Sequence, residues 1–318
     1  MRLGTTLVTG ATGFAGSHLL DKFADHAPLV AWYRPGGQLP DPHRHIEWRP
    51  VDLLDADRVS RAVLEADPTQ VFHIAGAPQV AASFHSSVLH LQTNVMGTHH
   101  LLDAIRRAGR PCRVLVVSSS QIYQASDEPI SENAPLVPST PYGFSKLGQD
   151  RLAERAWRED GLDVVIARPF NHAGPRQSAS YAVSSFARQI ARIEAGLAPP
   201  ELFVGNLDAR RDMTDVRDVV DAYTLMMAAA PAGRPFNICS GRAWRMGDLL
   251  DELLHSARVA IRVRVDSDRL RPTDVTVIQG DASRLRSELG WAPRIPVERM
   301  LSDTLEWWRV ETRGPGRG

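Results

Sequence analysis

An α/β fold, a doubly wound parallel sheet with helices on both faces, is what this 318-residue sequence predicts. Two observations carry it. Strand-like and helix-like patterns alternate through the first half of the chain, and such alternation implies parallel strands joined by helical crossovers. A glycine turn, Gly10-Ala11-Thr12-Gly13-Phe14-Ala15-Gly16, separates the first strand pattern from the first helix pattern. That is where folds of this kind meet a dinucleotide.

Strands are expected at 3–9, 28–33, 46–51, 70–75, 113–119 and 162–168, each an apolar, β-rich run. Helical patterns lie between them at 14–25, 55–66, 86–108 and 141–159. The stretch 34–45, rich in Gly, Pro and His, reads as a loop. After Arg168-Pro169-Phe170 the pattern changes to short strands, helices and many prolines across 171–212 and 241–300. Between those stretches, a helix at 214–230 and a strand at 235–239 are expected to rejoin the first sheet. The reading is a Rossmann-type domain over 1–170 and about 213–240. A smaller, interleaved α/β substrate-binding domain covers 171–212 and 241–312. Residues 313–318, all Gly, Pro and Arg, are expected to form a flexible tail.

Composition narrows the function. Hydrophobic residues make up 43% and charged residues 23%, ordinary for a globular protein with a sizeable core. Lys plus Arg equals Asp plus Glu, 37 each, so no net charge argues for nucleic acid or a membrane surface. Two cysteines, Cys112 and Cys239, make neither a disulfide framework nor a metal motif. No apolar run reaches the ~18 residues of a membrane span. The N-terminus runs straight into a strand, so no secretory leader is expected and the expectation is a cytoplasmic enzyme. His85, His90, His99 and His100 share one helix, but the five-residue step between the first two does not align ligands, and no metal is expected.

Three motifs carry chemistry. Gly10, Gly13 and Gly16 let backbone approach a pyrophosphate, and the N-terminus of the adjoining helix favours its charge. Ser118-Ser119-Ser120-Gln121-Ile122-Tyr123 succeeds the apolar strand Val114–Val117, placing hydroxyls at the carboxyl end of a parallel strand. Tyr142-Gly143-Phe144-Ser145-Lys146 opens a helix that Thr140 can cap and Pro141 can start. Tyr142 and Lys146, four apart, share a helical face, where an ammonium is expected to lower the phenol pKa. Tyr142 then becomes a proton donor and acceptor near neutral pH.

The G-x-x-G-x-x-G spacing, the serine, the tyrosine and the lysine in this order resemble the extended short-chain dehydrogenase/reductase family, the NAD-dependent epimerases and dehydratases that act on nucleotide sugars. The likeness runs from about Thr5 to Trp308. It implies a catalytic set of Ser119, Tyr142 and Lys146, with Ser119 chosen because it lies four before Tyr123. It implies cofactor contacts from Gly10, Thr12, Gly13, Phe14, Ala15, Gly16, Asp52, Leu53, Ala75, Gly76, Ala77, Asn94, Tyr142, Lys146 and Arg168. Arg34 ends the second strand where an acid would accept the 2′-OH of NAD; an arginine instead suits the 2′-phosphate of NADP. NADPH is therefore expected, with NADH as the alternative.

Phe170-Asn171-His172 and the runs 204–216, 271–274 and 280–285 resemble the branch that handles GDP-mannose derivatives, the GDP-4-keto-6-deoxy-mannose reductases before the GDP-mannose 4,6-dehydratases. On that resemblance Ser83, Ser120, Gln121, Asn171, Arg188, Arg211 and Arg271 are substrate-binding candidates. The arginines suit phosphate oxygens, which their forks match bidentately. A 4,6-dehydratase needs a carboxylate base two residues before Tyr123, and Gln121 stands there. A carboxamide takes no proton at neutral pH. The expected activity is thus NAD(P)H-dependent reduction of the 4-keto group of a GDP-linked 4-keto-6-deoxy sugar, giving GDP-D-rhamnose or its C4 epimer. A nucleotide-sugar 4-epimerase and a 4,6-dehydratase are the alternatives. A non-catalytic nucleotide sensor would lack the tyrosine or the lysine. The apolar helices 86–108 and 141–159 suggest a homodimer: Val88, Leu91, Val95, Leu102 and Ile105 make one stripe, and Leu89, Met96 and Leu101 lie off it.

Overall fold

The structure, a computed structural model, describes residues 4–23, 28–37, 39, 45–78, 80–84, 86–269 and 276–314. Seven strands form one sheet in the order Pro235–Ile238, Asp163–Pro169, Arg113–Val117, Pro68–His73, Thr5–Thr9, Leu29–Tyr33, Ile46–Pro50. Every pairing is parallel. Strands buried on both faces read as continuous apolar runs, which is why they stand out in the sequence. Leu7, Val30, Val71, Val114 and Ile166 pack on one face under the helices Ala56–Ala66, Gly97–Ala108 and Pro141–Arg158. Their neighbours Val8, Ala31, Phe72, Leu115 and Val165 pack on the other, under Phe14–Lys22 and Val216–Ala229.

The chain leaves Thr5–Thr9 toward one edge of the sheet and returns past it at Pro68–His73 toward the other. The crevice outside the carboxyl ends of those two strands is a topological switch point, the usual ligand site of an open α/β sheet. The glycine turn comes directly after Thr9, and residues 74–77 directly after His73, so both line it.

A further apolar cluster lies off the sheet. Val183, Phe186 and Ile190 meet Leu202, Leu249, Leu253, Leu301 and Leu305 there. It is covered by the small strand set Asn171–Ala173, Arg210–Asp215, Ala243–Arg245 and Val277–Ile278 and by the parallel pair Glu201–Val204 with Arg262–Val265.

The region 86–108 departs from the expected single helix. It is an α-helix at Ser87–Leu91, a π turn at Gln92–Met96 and an α-helix at Gly97–Ala108. The extra residue of a π turn rotates the rest of the helix by about 100°. The apolar stripe therefore changes face. Leu101, Leu102 and Ile105 are core residues, while Val88, Leu89, Leu91 and Met96 are exposed. Leu101, expected off the buried stripe, is inside it.

Candidate active site

Gly10 ends the first strand with φ +68°, the left-handed region that favours glycine. A side chain there would bring its Cβ within 2.7 Å of the Ala75 backbone, so only glycine lets the turn touch the segment after His73. Gly13 caps the helix Phe14–Lys22 with no side-chain hydrogen bond and no acid in the first turn. Among the described residues no side chain claims the first-turn N–H groups, which suit an anion at a helix N-terminus. Thr12 and Gly13 are exposed at the crevice, while Ala15 and Gly16 lie buried beneath it. The Phe14 ring stacks on His172 at 5.8 Å, bridging the sheet to the 171–173 strand. Arg34 is exposed at the end of Leu29–Tyr33. Asp52 is exposed and accepts the Leu54 N–H at 2.9 Å; the Leu53 carbonyl holds the His100 ring at 2.8 Å.

The Tyr142 helix is anchored from several sides. Thr140 caps it through the Gly143 N–H at 3.0 Å, and Ser83 accepts the Tyr142 N–H at 3.1 Å. Gly143 faces the serine loop so closely that a Cβ would sit 2.4 Å from the Gln121 carbonyl. That approach brings Ser119 to the phenol, and the two hydroxyls hydrogen-bond. The Ser119 hydroxyl also accepts the Gln121 N–H at 3.2 Å. Lys146 donates to the Val117 carbonyl at 2.5 Å and to the Gln149 side-chain oxygen.

The electrostatics correct one expectation. Burial pushes the Tyr142 pKa up, and the Ser119 hydrogen bond pulls it partly back; the lysine does not lower it. The reason is geometric, since the ammonium points at Val117 and Gln149. Burial brings Lys146 itself down to about 7, against the opposing pull of Asp150.

Asn94, delivered by the π turn, is fully buried. It accepts the Ala77 N–H at 2.8 Å and donates to the Ser145 hydroxyl at 2.8 Å, which donates to the Tyr142 carbonyl at 2.7 Å. Asn94 thus braces residues 75–77 against the Tyr142 helix. Arg168 is not at the cofactor crevice as expected. Its guanidinium is buried and spent on Asp150, at 2.9 and 2.8 Å, and on the Tyr123 hydroxyl at 2.9 Å. The Ser83 hydroxyl is likewise engaged with backbone, at Val80 and Tyr142. Tyr123 donates to Asn237 at 2.7 Å, and burial raises its pKa to about 12.

Of the sugar-side candidates, Ser120 is buried and Gln121 half-buried on the serine loop, and Asn171 is exposed at the start of its strand. Arg188 is exposed, with its guanidinium 5.7 Å from the centre of the Trp308 ring. Arg211 is half-buried and donates to the Arg210 carbonyl at 2.8 Å. Arg271 lies outside the described residues. Sequence reasoning passed over His73, Thr98 and Gln149, all buried around Lys146. A histidine inside the apolar run Val71-Phe72-His73-Ile74 was the available sign. Among the described residues no group of three or more His, Cys, Asp or Glu side chains is placed to hold a metal.

Comparison with known proteins places this geometry. The family model described as GDP-mannose 4,6 dehydratase matches residues 7–304. A GDP-6-deoxy-D-mannose reductase of Pseudomonas aeruginosa is 36% identical over 309 residues, covering 96% of this chain and 97% of that protein. A GDP-mannose 4,6-dehydratase of Yersinia enterocolitica is 28% identical, covering 93% of this chain and 91% of its own. The solved structure of RMD from Pseudomonas aeruginosa complexed with NADPH superposes with a TM-score of 0.84 at 34% identity, covering 96% of this chain and 99% of that one. With the switch-point crevice, the glycine turn and the Ser-Tyr-Lys cluster in place, the chain belongs to the GDP-mannose 4,6-dehydratase family of extended short-chain dehydrogenase/reductases.

Proposed function

We propose that this protein is a reductase of the 4-keto group of a GDP-linked 4-keto-6-deoxy-mannose, working with NADPH. Gln121 carries the choice of reaction. It lies two residues from Ser119 on the loop that packs against the Tyr142 helix. Elimination across C5 and C6 needs a base there, and a carboxamide is not one. The buried carboxylates Asp150 and Glu132 are committed elsewhere, to Arg168 and to Arg284 with Asn237.

The residues present fit a bound dinucleotide. The unclaimed N–H groups of the Phe14–Lys22 helix would take the pyrophosphate, with Gly10 keeping the approach open. Arg34 would pair with a 2′-phosphate, Asp52 and Leu53 would meet the adenine, and residues 75–77 would lie under the pyrophosphate. The reduced nicotinamide, when bound, supplies a hydride. Burial keeps Tyr142 protonated at neutral pH, so it is held as the acid that reduction requires. Its proton goes to the oxygen on sugar C4 as that oxygen gains charge. Ser119 donates to the same oxygen, stabilising the charge before the proton arrives. Lys146, on the same helical face, is the proposed contact of the nicotinamide ribose. Asn171, Arg188, Arg211 and Arg271 are the proposed contacts of the GDP-sugar.

The chain is also proposed to work as a homodimer. Val88, Leu91, Met96 and Phe144 expose apolar surface on two neighbouring helices, and pairing with a second copy would cover it. A sedimentation mass of one chain at micromolar concentration would sink that reading. Unpaired Cys112 and Cys239 suit the reducing cytoplasm. No described helix is long and apolar enough to cross a membrane.

One cuvette tests the reaction. Given the GDP-4-keto-6-deoxy sugar, the protein should consume one NADPH per sugar reduced. An epimerase would consume none, because its cofactor is regenerated each cycle. Given GDP-mannose and NADP⁺ alone, it should form no keto sugar; accumulation would reveal another base and make it a dehydratase. With Arg34→Ala, affinity for NADPH should fall roughly tenfold or more and affinity for NADH little, the cost of one lost charge-assisted contact. Equal losses would return Arg34 to a stacking role.

A further inference from the structure

Lys146 sits at the end of a hydrogen-bond chain that the catalytic reading does not use. An ammonium only donates, so the Gln149 oxygen must be the atom that faces Lys146. The Gln149 amide nitrogen then faces the Thr98 hydroxyl, at 2.8 Å. That hydroxyl gives its own hydrogen to the Asn94 carbonyl at 2.6 Å. Both its lone pairs are left to accept, one from Gln149 and one from His73 Nε2 at 2.8 Å. His73 is thereby assigned the Nε2–H tautomer, and its Nδ1 accepts from Thr9 at 2.8 Å. Thr9 in turn accepts the Ala75 N–H at 3.3 Å. Two donor arms thus converge on Thr98, one from Ala75 through Thr9 and His73 and one from Lys146 through Gln149, and Thr98 passes its own hydrogen to Asn94. Thr9, His73, Thr98 and Gln149 are all at most 1% exposed. Burial, and then the charge of Lys146, lower His73 to about 3, so no proton enters the chain at working pH.

We propose that Gln149 is a positioning residue for Lys146: its carboxamide, oriented by the Thr9–His73–Thr98 chain, fixes the ammonium against the Val117 carbonyl, next to Gly76 at the cofactor crevice. Gln149 lies three residues after Lys146, on the same helical face. The contrasting reading is a glutamine that fills space and satisfies Thr98. A space-filler would not need its acceptor aimed at a buried ammonium. The arrangement also ties Lys146 to Ala75, in the segment proposed to lie under the pyrophosphate. Only the reaction served rests on the reductase reading; the positioning itself can be measured without turnover.

The groups facing Lys146 are few. Asp150 comes from its own helix and is bound to Arg168, while Tyr142 lies one turn before the lysine. His73 comes from the Pro68–His73 strand, and the Val117 carbonyl from Arg113–Val117. Asn94 and Gly76 close the remaining side, where a Cβ on Gly76 would lie 4.0 Å from the ammonium nitrogen.

The sequence makes the test direct. Of 37 basic residues only two are lysines, Lys22 and Lys146. Lys22 is a surface residue paired with Asp221. Protein carrying ¹³C-lysine will show two side-chain titrations, assigned with Lys22→Arg. In cofactor-free protein the Lys146 midpoint should lie at about 7. Gln149→Glu puts a carboxylate against the ammonium and should raise that midpoint by about one pH unit or more. Gln149→Met removes the acceptor and should lower it by about one unit. Lys22 should not move in either. The kcat of Gln149→Met should fall roughly tenfold with the KM for the keto sugar little changed. Wild-type midpoints in both variants, with the Lys22 signal and thermal melting unaltered, would overturn the proposal. Should the midpoints shift while no keto sugar is reduced by the wild type, the positioning stands and the reductase reading falls.

Discussion

Tyr142→Phe is expected to lower kcat by about 10²–10⁴, the usual worth of a positioned acid. That corresponds to roughly 3–5 kcal/mol of transition-state stabilisation. The substitution is clean because the ring's support does not depend on its hydroxyl. The His90 ring meets the phenol edge to face at 6.3 Å, and Ser83 holds the Tyr142 N–H. Among the described residues the hydrogen bond that the substitution removes is the one to Ser119. NADPH affinity should change little, because the proposed pyrophosphate site is built from the glycine turn. Steady-state NADPH oxidation with the keto sugar measures the first quantity, and nicotinamide fluorescence on binding measures the second. A variant that keeps most of its turnover would place the acid elsewhere. Equal losses of turnover and cofactor affinity would make the hydroxyl a binding group instead.

The triad was legible because its parts are local. A strand end, a helix cap and a four-residue helical step are written in consecutive residues, and the sheet was read from apolar runs for the same reason. The observed strands differ from the expected ones only at their ends, as 70–75 against Pro68–His73. The π turn at Gln92–Met96 was not legible. It is sustained by distant partners, Asn94 reaching Ala77 while Gly97 lies so near Leu53 that a Cβ on it would sit 3.0 Å from the Leu53 side chain. No periodicity within 86–108 records those contacts, so the apolar stripe was drawn across a break that turns it. The pKa of Tyr142 moves opposite to the sequence expectation for a related reason. Helical spacing puts Lys146 on the right face, but where a long side chain points depends on what else it can bond, here Val117 and Gln149.

Arg168 is the sharpest case, and its substitution carries the second large effect. Position in the motif put it beside the cofactor; the structure puts it in the core, 5% exposed, against Asp150 at 1%. Arg168→Met should destabilise the fold by about 3–5 kcal/mol, because it leaves Asp150 buried without a countercharge. The Tyr123 hydroxyl would lose a donor as well, and the Glu132 carbonyl a weaker one at 3.4 Å. Much of the loss should return in the double variant Arg168→Met with Asp150→Leu, since removing both charges also removes the cost of burying one alone. Urea unfolding followed by tryptophan fluorescence measures each step, with an unchanged slope marking a change in stability alone. A cofactor role predicts the opposite pattern. NADPH binding would weaken while the urea midpoint stayed at the wild-type value, and that result would move Arg168 back to the crevice.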